Sequence, residues 1–330
     1  MGRRSFWIGI GAVLGGLFLW WSLRQVSVSE VAAIVRAASP SYLLLIFAAS
    51  LVFTVVKTLR WRILLQPLAP VKFSDLQGPV FIGTAANLVL SHVGELVRAK
   101  LLNRGRHGLA SSAVLASIGL ERVLDLFAML LLVAYLFIVG GGRFGAKLAS
   151  VADVVGVLCA LGAFLVMSMV LKSEVWLAAF DRFTTRLPQR RSAWLRGQLV
   201  ELIGGFKSIS QPTLLIKALL ASVVQWLVIS FALWCSAHSI HLGIDTSAAI
   251  LVLVFMVFGL TLPTAPGYLG TTQIAFVAAL AIYGVEDSGA FAASLLYSAF
   301  LVLPQFLIGA VWFLWNMAEQ RGHRQAHTLA

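Results

Sequence analysis

Glu121, Arg122 and Asp125 stand together in "GLERVLDLFAMLLLVAYLF", at the entrance to a long apolar run. Glu121 and Asp125 are four residues apart and share one face of a helix. Arg122 can reach Asp125 three positions on but cannot easily cancel both acids. An ionised carboxylate is costly in lipid, so one acid must meet a partner such as Arg98, Arg60 or Arg62, a watery cavity, or a cation on a substrate. A purely structural interhelical ion pair is the alternative. A second group, Asn87, Glu95 and Arg98, interrupts "NLVLSHVGELVRAKLL". Glu95 and Arg98 are three apart and can pair on one helix face, while Gly94 permits close backbone approach. Such a pair is either a snorkelling interfacial ion pair or a headgroup contact, with the planar fork of Arg98 on a phosphate and Glu95 orienting it or meeting a cationic group. The third group is "LPTAPGYLGTTQ": Pro263 and Pro266 end one helix, Gly267 and Gly270 free the backbone, and Thr271 starts another. Amides at the new helix N-terminus, with the Thr271 and Thr272 hydroxyls, would attract an anion. The alternative is an ordinary external turn between two helices too short to cross a bilayer.

Enzyme signatures do not accompany these groups. The sequence contains no GxSxG, HExxH or Walker A pattern, and the glycines at Gly140–Gly142 read as loop glycines rather than a phosphate cradle. Cys159 and Cys235 both lie in apolar runs, too few for a metal site and poorly placed for a disulfide. The expectation is no cofactor and no enzymatic activity.

The elements that must position these groups follow from composition. Of 330 residues, 60% are apolar and 12% charged, and the mean hydropathy is +0.92. So little polar surface cannot coat a particle of this size in water, whereas a bilayer favours an apolar exterior. The fold class is therefore all-α, a polytopic membrane helical bundle. The net charge of +12 suits cytoplasmic span ends near anionic lipid better than nucleic-acid binding. Stretches long enough to cross occur at Phe6–Leu23, Tyr42–Leu59, Val123–Val139, Leu148–Leu171, Leu214–Trp234 and Phe291–Trp315, which predicts six full spans. Two regions are too short: Pro79–Leu90 with Leu109–Leu120, and Ala248–Leu262 with Thr271–Tyr283. Each reads as a pair of half-helices, one entering from each face. That is the hydropathy arrangement of an inverted repeat that builds midplane sites in transporters, although no residue-level repeat supports it.

Arg3 and Arg4 predict a cytoplasmic N-terminus, with Phe6–Leu23 retained as a first span. Residues 172–211 carry Lys172, Arg182, Arg186, Arg190, Arg191, Arg196 and Lys207 against Glu174, Asp181 and Glu201. They predict a cytoplasmic loop with an interfacial helix near Ala193–Ile209. Arg321 and Arg324 place the C-terminus inside as well. Nothing divides the chain, so residues 1–330 read as one transmembrane domain without a separate soluble catalytic domain.

The three motifs, in this order, resemble the lysylphosphatidylglycerol synthase transmembrane family, the membrane part of the multiple peptide resistance factor, which also occurs as free-standing proteins. The matching points are Arg60 and Trp61; Asn87 with Gly94, Glu95 and Arg98; Glu121, Arg122 and Asp125; and "LPTAPGYLG". The resemblance implies a bacterial inner-membrane protein that moves lipid between leaflets. Two departures stand out. Ser91 and His92 replace the proline and arginine that usually precede the glycine–glutamate pair, and Gln273 replaces a glutamate at the end of the Pro-Gly loop. A neutral amide cannot pair with the ammonium of an aminoacyl headgroup.

The leading expectation is a flippase or transporter for an anionic or modified lipid. Arg98 and Arg122 would receive the phosphate, Glu95, Glu121 and Asp125 would hold those arginines, and the Pro263–Gly270 loop would act as hinge and second anion contact. The expected partners are membrane lipids, and a separate lipid-modifying enzyme is compatible with the absent synthase domain. Two other readings remain open: a membrane enzyme or accessory subunit acting on a polyprenyl-phosphate, hopanoid or aminoacyl lipid, and a scaffold for a separate synthase.

Overall fold

The computed structural model describes residues 27–89, 93–103, 111–140, 171–184, 189–209, 211–259 and 266–328, with scattered positions from 157 to 169. Outside the described residues lie the expected first span with Arg3 and Arg4, Ser91 and His92, Arg104 and Arg106, most of Leu148–Leu171 with Cys159, Arg186, and Pro263. Every element among the described residues is helical. In chain order they are α1 (Val28–Arg36), α2 (Pro40–Leu65), α3 (Phe73–Val89), α4 (Val93–Asn103), α5 (Ser111–Gly140), α6 (Ser173–Phe183), α7 (Gln189–Ile209), α8 (Pro212–His238), α9 (Thr246–Gly259), α10 (Thr271–Ala281), α11 (Asp287–Tyr297) and α12 (Leu303–Thr328). A single 3₁₀ turn at Pro266–Tyr268 precedes α10, and a π-helical turn at Ser298–Val302 joins α11 to α12.

Four stretches are long and apolar enough to cross a membrane: Pro40–Leu65, Ser112–Val139, Pro212–His238 and Asp287–Trp315. The shortest has 26 residues, about 39 Å as a helix, which exceeds the roughly 30 Å hydrocarbon core. Leu44, Ile138, Leu220 and Leu314 are exposed along these helices, an exterior that water would disfavour and lipid tails accept. The chain is a multi-pass helical membrane protein.

One expectation is corrected. Leu109–Leu120 is not a separate half-helix, because Ser111–Gly140 is a single 30-residue helix running through Glu121, Arg122 and Asp125. Charged residues do not break a helix when their side chains find partners, and neither proline nor a positive-φ glycine interrupts this one. Likewise α3 begins at Phe73 and continues through Pro79, which has no N–H to donate to the Asp75 carbonyl. The helix that follows the Pro79–Leu90 region is α4, 11 residues long. The second short pair forms as expected, with α9 and α10 of 14 and 11 residues, about 21 and 17 Å long. An unanticipated short helix, α6, precedes α7; Arg196 on α7 pairs with Asp181 on α6 at 3.1 Å.

The chain groups into two compact units. One comprises Met1–Val55, Val80–Val97 and Leu227–Ala330, and the other Val56–Pro79 with Arg98–Trp226. In the second unit α5 packs along α7, where Phe206 lies against Gly119. Leu64, Ala116, Leu120, Leu124, Phe206 and Ala218 form its buried apolar cluster. In the first unit α10 packs on α9 and α11, and α11 on α1, where the Ser288 hydroxyl donates to Glu30 at 2.7 Å. The Ser50 hydroxyl donates to the Leu301 carbonyl inside the π turn at 2.9 Å, satisfying an acceptor where the i→i−4 ladder is disrupted.

Candidate functional site

The second unit holds the larger polar constellation, assembled from four helices. Arg60 on α2 donates through Nη1 to Asp125 Oδ1 on α5 and, at 2.9 Å, to the Ser222 hydroxyl on α8. Its Nε stands 3.8 Å from Glu121 Oε1. Arg98 on α4 donates through Nη2 to Glu121 Oε2 at 2.5 Å, and its guanidinium lies 4.3 Å from the centroid of the Trp61 ring. Trp61 is itself fixed by its indole N–H, which donates to the Ser117 hydroxyl at 3.1 Å. Arg60, Arg98 and Glu121 are 1%, 3% and 0% exposed. Arg122 reaches Asp125 Oδ2 at 3.6 Å but keeps half of its side chain exposed.

Charge balance explains why this cluster can be buried. Two guanidiniums meet two carboxylates, so the core of the network is neutral, and Arg122 adds one positive charge at its half-exposed edge. Desolvating four charges is expensive, and only mutual pairing with good hydrogen bonds offsets that cost. The offset is incomplete: Arg98 Nη1 and Glu121 Oε1 are buried without a hydrogen-bond partner among the described residues. A guanidinium with one buried nitrogen unspent can add a bond to an oxyanion without giving up the bond it has.

The spacing of Glu95 and Arg98 suggested that they pair, but the carboxylate that Arg98 engages is Glu121, while Glu95 accepts from Asn87 Nδ2 at 3.2 Å. Asn87 also accepts the Gly94 N–H at 2.7 Å, so its carboxamide clips α4 onto α3 with both ends. Gly94 is required there, because a Cβ would collide with the Gly83 carbonyl oxygen and the Asn87 side chain. This second cluster lies within the first unit.

The loop before α10 is also in the first unit. Gly267, Tyr268 and Gly270 have φ of 71, 58 and 82°, in the left-handed region that glycine enters without penalty and tyrosine does not. Gln273 returns its side-chain Oε1 to accept the Gly270 N–H at 2.7 Å. Thr271, Thr272 and Gln273 are all buried, and the Thr271 methyl packs on Gly259.

Ser222 was not anticipated from the sequence. The signal available was Ser222 with Gln225, three apart on one face of an otherwise apolar span and both buried. Ser117, the anchor of Trp61, carried no such signal.

No curated protein and no solved structure matches the chain. The family described as the lysylphosphatidylglycerol synthase TM region matches residues 7–309. That span contains the Arg60–Arg98–Glu121–Asp125 network, the Asn87 clip and the Pro-Gly loop, and it ties the chain to membrane lipids. This chain belongs to the lysylphosphatidylglycerol synthase transmembrane family.

Proposed function

We propose that the chain translocates a phosphate-bearing lipid between the leaflets of a bacterial inner membrane, with both termini cytoplasmic. The observation that carries the reading is the neutral charge network buried among apolar spans, in which Arg98 Nη1 has no hydrogen-bond partner among the described residues. A lipid phosphate is barred from the hydrocarbon core by its charge, and a desolvated guanidinium lowers that barrier by neutralising it. The carboxylates of Glu121 and Asp125 hold the arginines in place between visits and prevent bare cations from standing in the membrane. Arg122, half exposed at the edge of the network, supplies the first electrostatic contact for an arriving headgroup. The acyl tails remain in lipid throughout.

The test is headgroup translocation in reconstituted vesicles, read as protection of a fluorescent phosphatidylglycerol from an added quencher. Arg122→Ala is expected to abolish translocation while the protein still inserts. Its effect on stability is expected to be small, since a half-exposed pair contributes about 1 kcal/mol or less. Undiminished transport by this variant would remove Arg122 from the pathway. A covalently altered lipid in the same assay would favour the enzymatic alternative.

A further inference from the structure

The start of α10 carries buried hydrogen-bonding side chains that have capacity to spare. Gln273 is 0% exposed, and its carboxamide is pinned at the helix N-terminus because Oε1 accepts the Gly270 N–H at 2.7 Å. The oxygen is thereby committed, and Nε2, on the same planar group, is left with two N–H bonds and no partner among the described residues. Thr271, 5% exposed, also has a hydroxyl without a hydrogen-bond partner among the described residues, while its methyl is packed on Gly259. An 11-residue helix begins at these residues with no acid in its first turn. The first-turn amides have no intrahelical acceptor, and the helix dipole adds positive potential there. The unusual φ values at Gly267, Tyr268 and Gly270 shape the backbone just ahead of it.

A buried polar group without a partner is costly, and an amide and a hydroxyl in that condition at one helix start mark a place kept for a ligand. We propose that Gln273 and Thr271 form a donor-rich subsite without a carboxylate, which takes the phosphate oxygens of a lipid headgroup in preference to an ammonium group. This specifies the substrate class for the translocation reading and rests on it. A carboxylate at position 273 could pair with a cationic headgroup; the amide found there is uncharged, its oxygen is bonded to the Gly270 N–H, and what it has to spare are the hydrogens on Nε2. The selected lipids are anionic ones such as phosphatidylglycerol rather than their aminoacylated, cationic forms.

Gln273→Glu isolates the effect. The substituted carboxylate still accepts the Gly270 N–H, and a negative charge in the first turn suits the helix, but the donor becomes an acceptor. Binding is measured on the purified full chain in detergent with three probes: short-chain phosphatidylglycerol, short-chain lysylphosphatidylglycerol and inorganic phosphate. The wild-type chain is expected to prefer phosphatidylglycerol over the lysyl lipid. Gln273→Glu should weaken phosphatidylglycerol roughly ten- to a hundredfold and narrow or reverse that preference. Thr271→Val, which keeps the methyl contact, should weaken it about fivefold and carries the test if the glutamate variant fails to fold.

Inorganic phosphate that binds and is lost in Gln273→Glu supports the same oxyanion chemistry with a free anion as its source; binding of the lipid alone assigns the source to the headgroup. Wild-type affinity for phosphatidylglycerol in both variants, equal wild-type affinity for the two lipids, or no binding of any probe overturns the subsite. Vesicle assays separate the two proposals. A chain that binds phosphatidylglycerol through Gln273 but moves no lipid refutes translocation alone, and a chain that moves lipid with unchanged headgroup preference after Gln273→Glu refutes the subsite alone.

Discussion

The ion pair between Arg98 and Glu121 offers the sharpest test of the buried network. Arg98→Met strands Glu121, which is fully buried and then keeps Arg60 Nε, 3.8 Å away, and Arg122 as cationic neighbours but loses its hydrogen-bonded guanidinium. Breaking one side of a buried pair costs about 3–5 kcal/mol, and loss of the guanidinium from the Trp61 face contributes up to about 2 kcal/mol of that. Glu121→Gln alone strands Arg98 in turn and is expected to cost a similar amount. In the double variant no unpaired charge remains around position 98, while Arg60 keeps Asp125 and Ser222. The double variant should therefore be more stable than the sum of the single losses, with a coupling of about 1–3 kcal/mol. The lower end of that range is favoured in a membrane, where partly unfolded helices also find polar partners. The assay is sodium dodecyl sulfate titration of the purified protein in mixed micelles, followed by circular dichroism. Arg98→Lys serves as a control that keeps the charge and loses the fork; it should be less damaging than Arg98→Met. Strict additivity, within about 0.5 kcal/mol, would falsify the claim that these two side chains act as a pair.

Two further outcomes follow from the packing. Gly94→Ala places a methyl on the Gly83 carbonyl oxygen and the Asn87 carboxamide, so α4 must separate from α3; unfolding in the same titration should shift by about 1–3 kcal/mol, and an unchanged midpoint would contradict the clip. Ser50→Ala removes the hydroxyl bonded to the Leu301 carbonyl in the π turn and should cost about 1 kcal/mol, with faster amide hydrogen exchange confined to residues around 298–302 as the local readout.

Much of this protein could be read without coordinates. Apolar composition and run length determined that it lives in a membrane, because no arrangement of so few polar side chains can face water. Helix length determined that α9 and α10 are too short to span, and the prolines and glycines between them marked the break, since their backbone preferences are local. The four-residue spacing of Glu121 and Asp125 placed both acids on one face, where both now meet Arg60. The continuity of α5 was misjudged because a charged triplet resembles a boundary; inside a helix with distant partners it is not one.

Partner choice was beyond the sequence. Glu121 is reached by Arg60, which lies far upstream, and by Arg98 from another helix, while Ser222 joins from α8. Such meetings depend on which helices become neighbours and at what rotation, properties set by packing over the whole unit. For the same reason Arg98 turned from Glu95, one helical turn away, to Glu121. The sequence decided which groups the membrane would force to find partners, and the tertiary structure decided which partners they found.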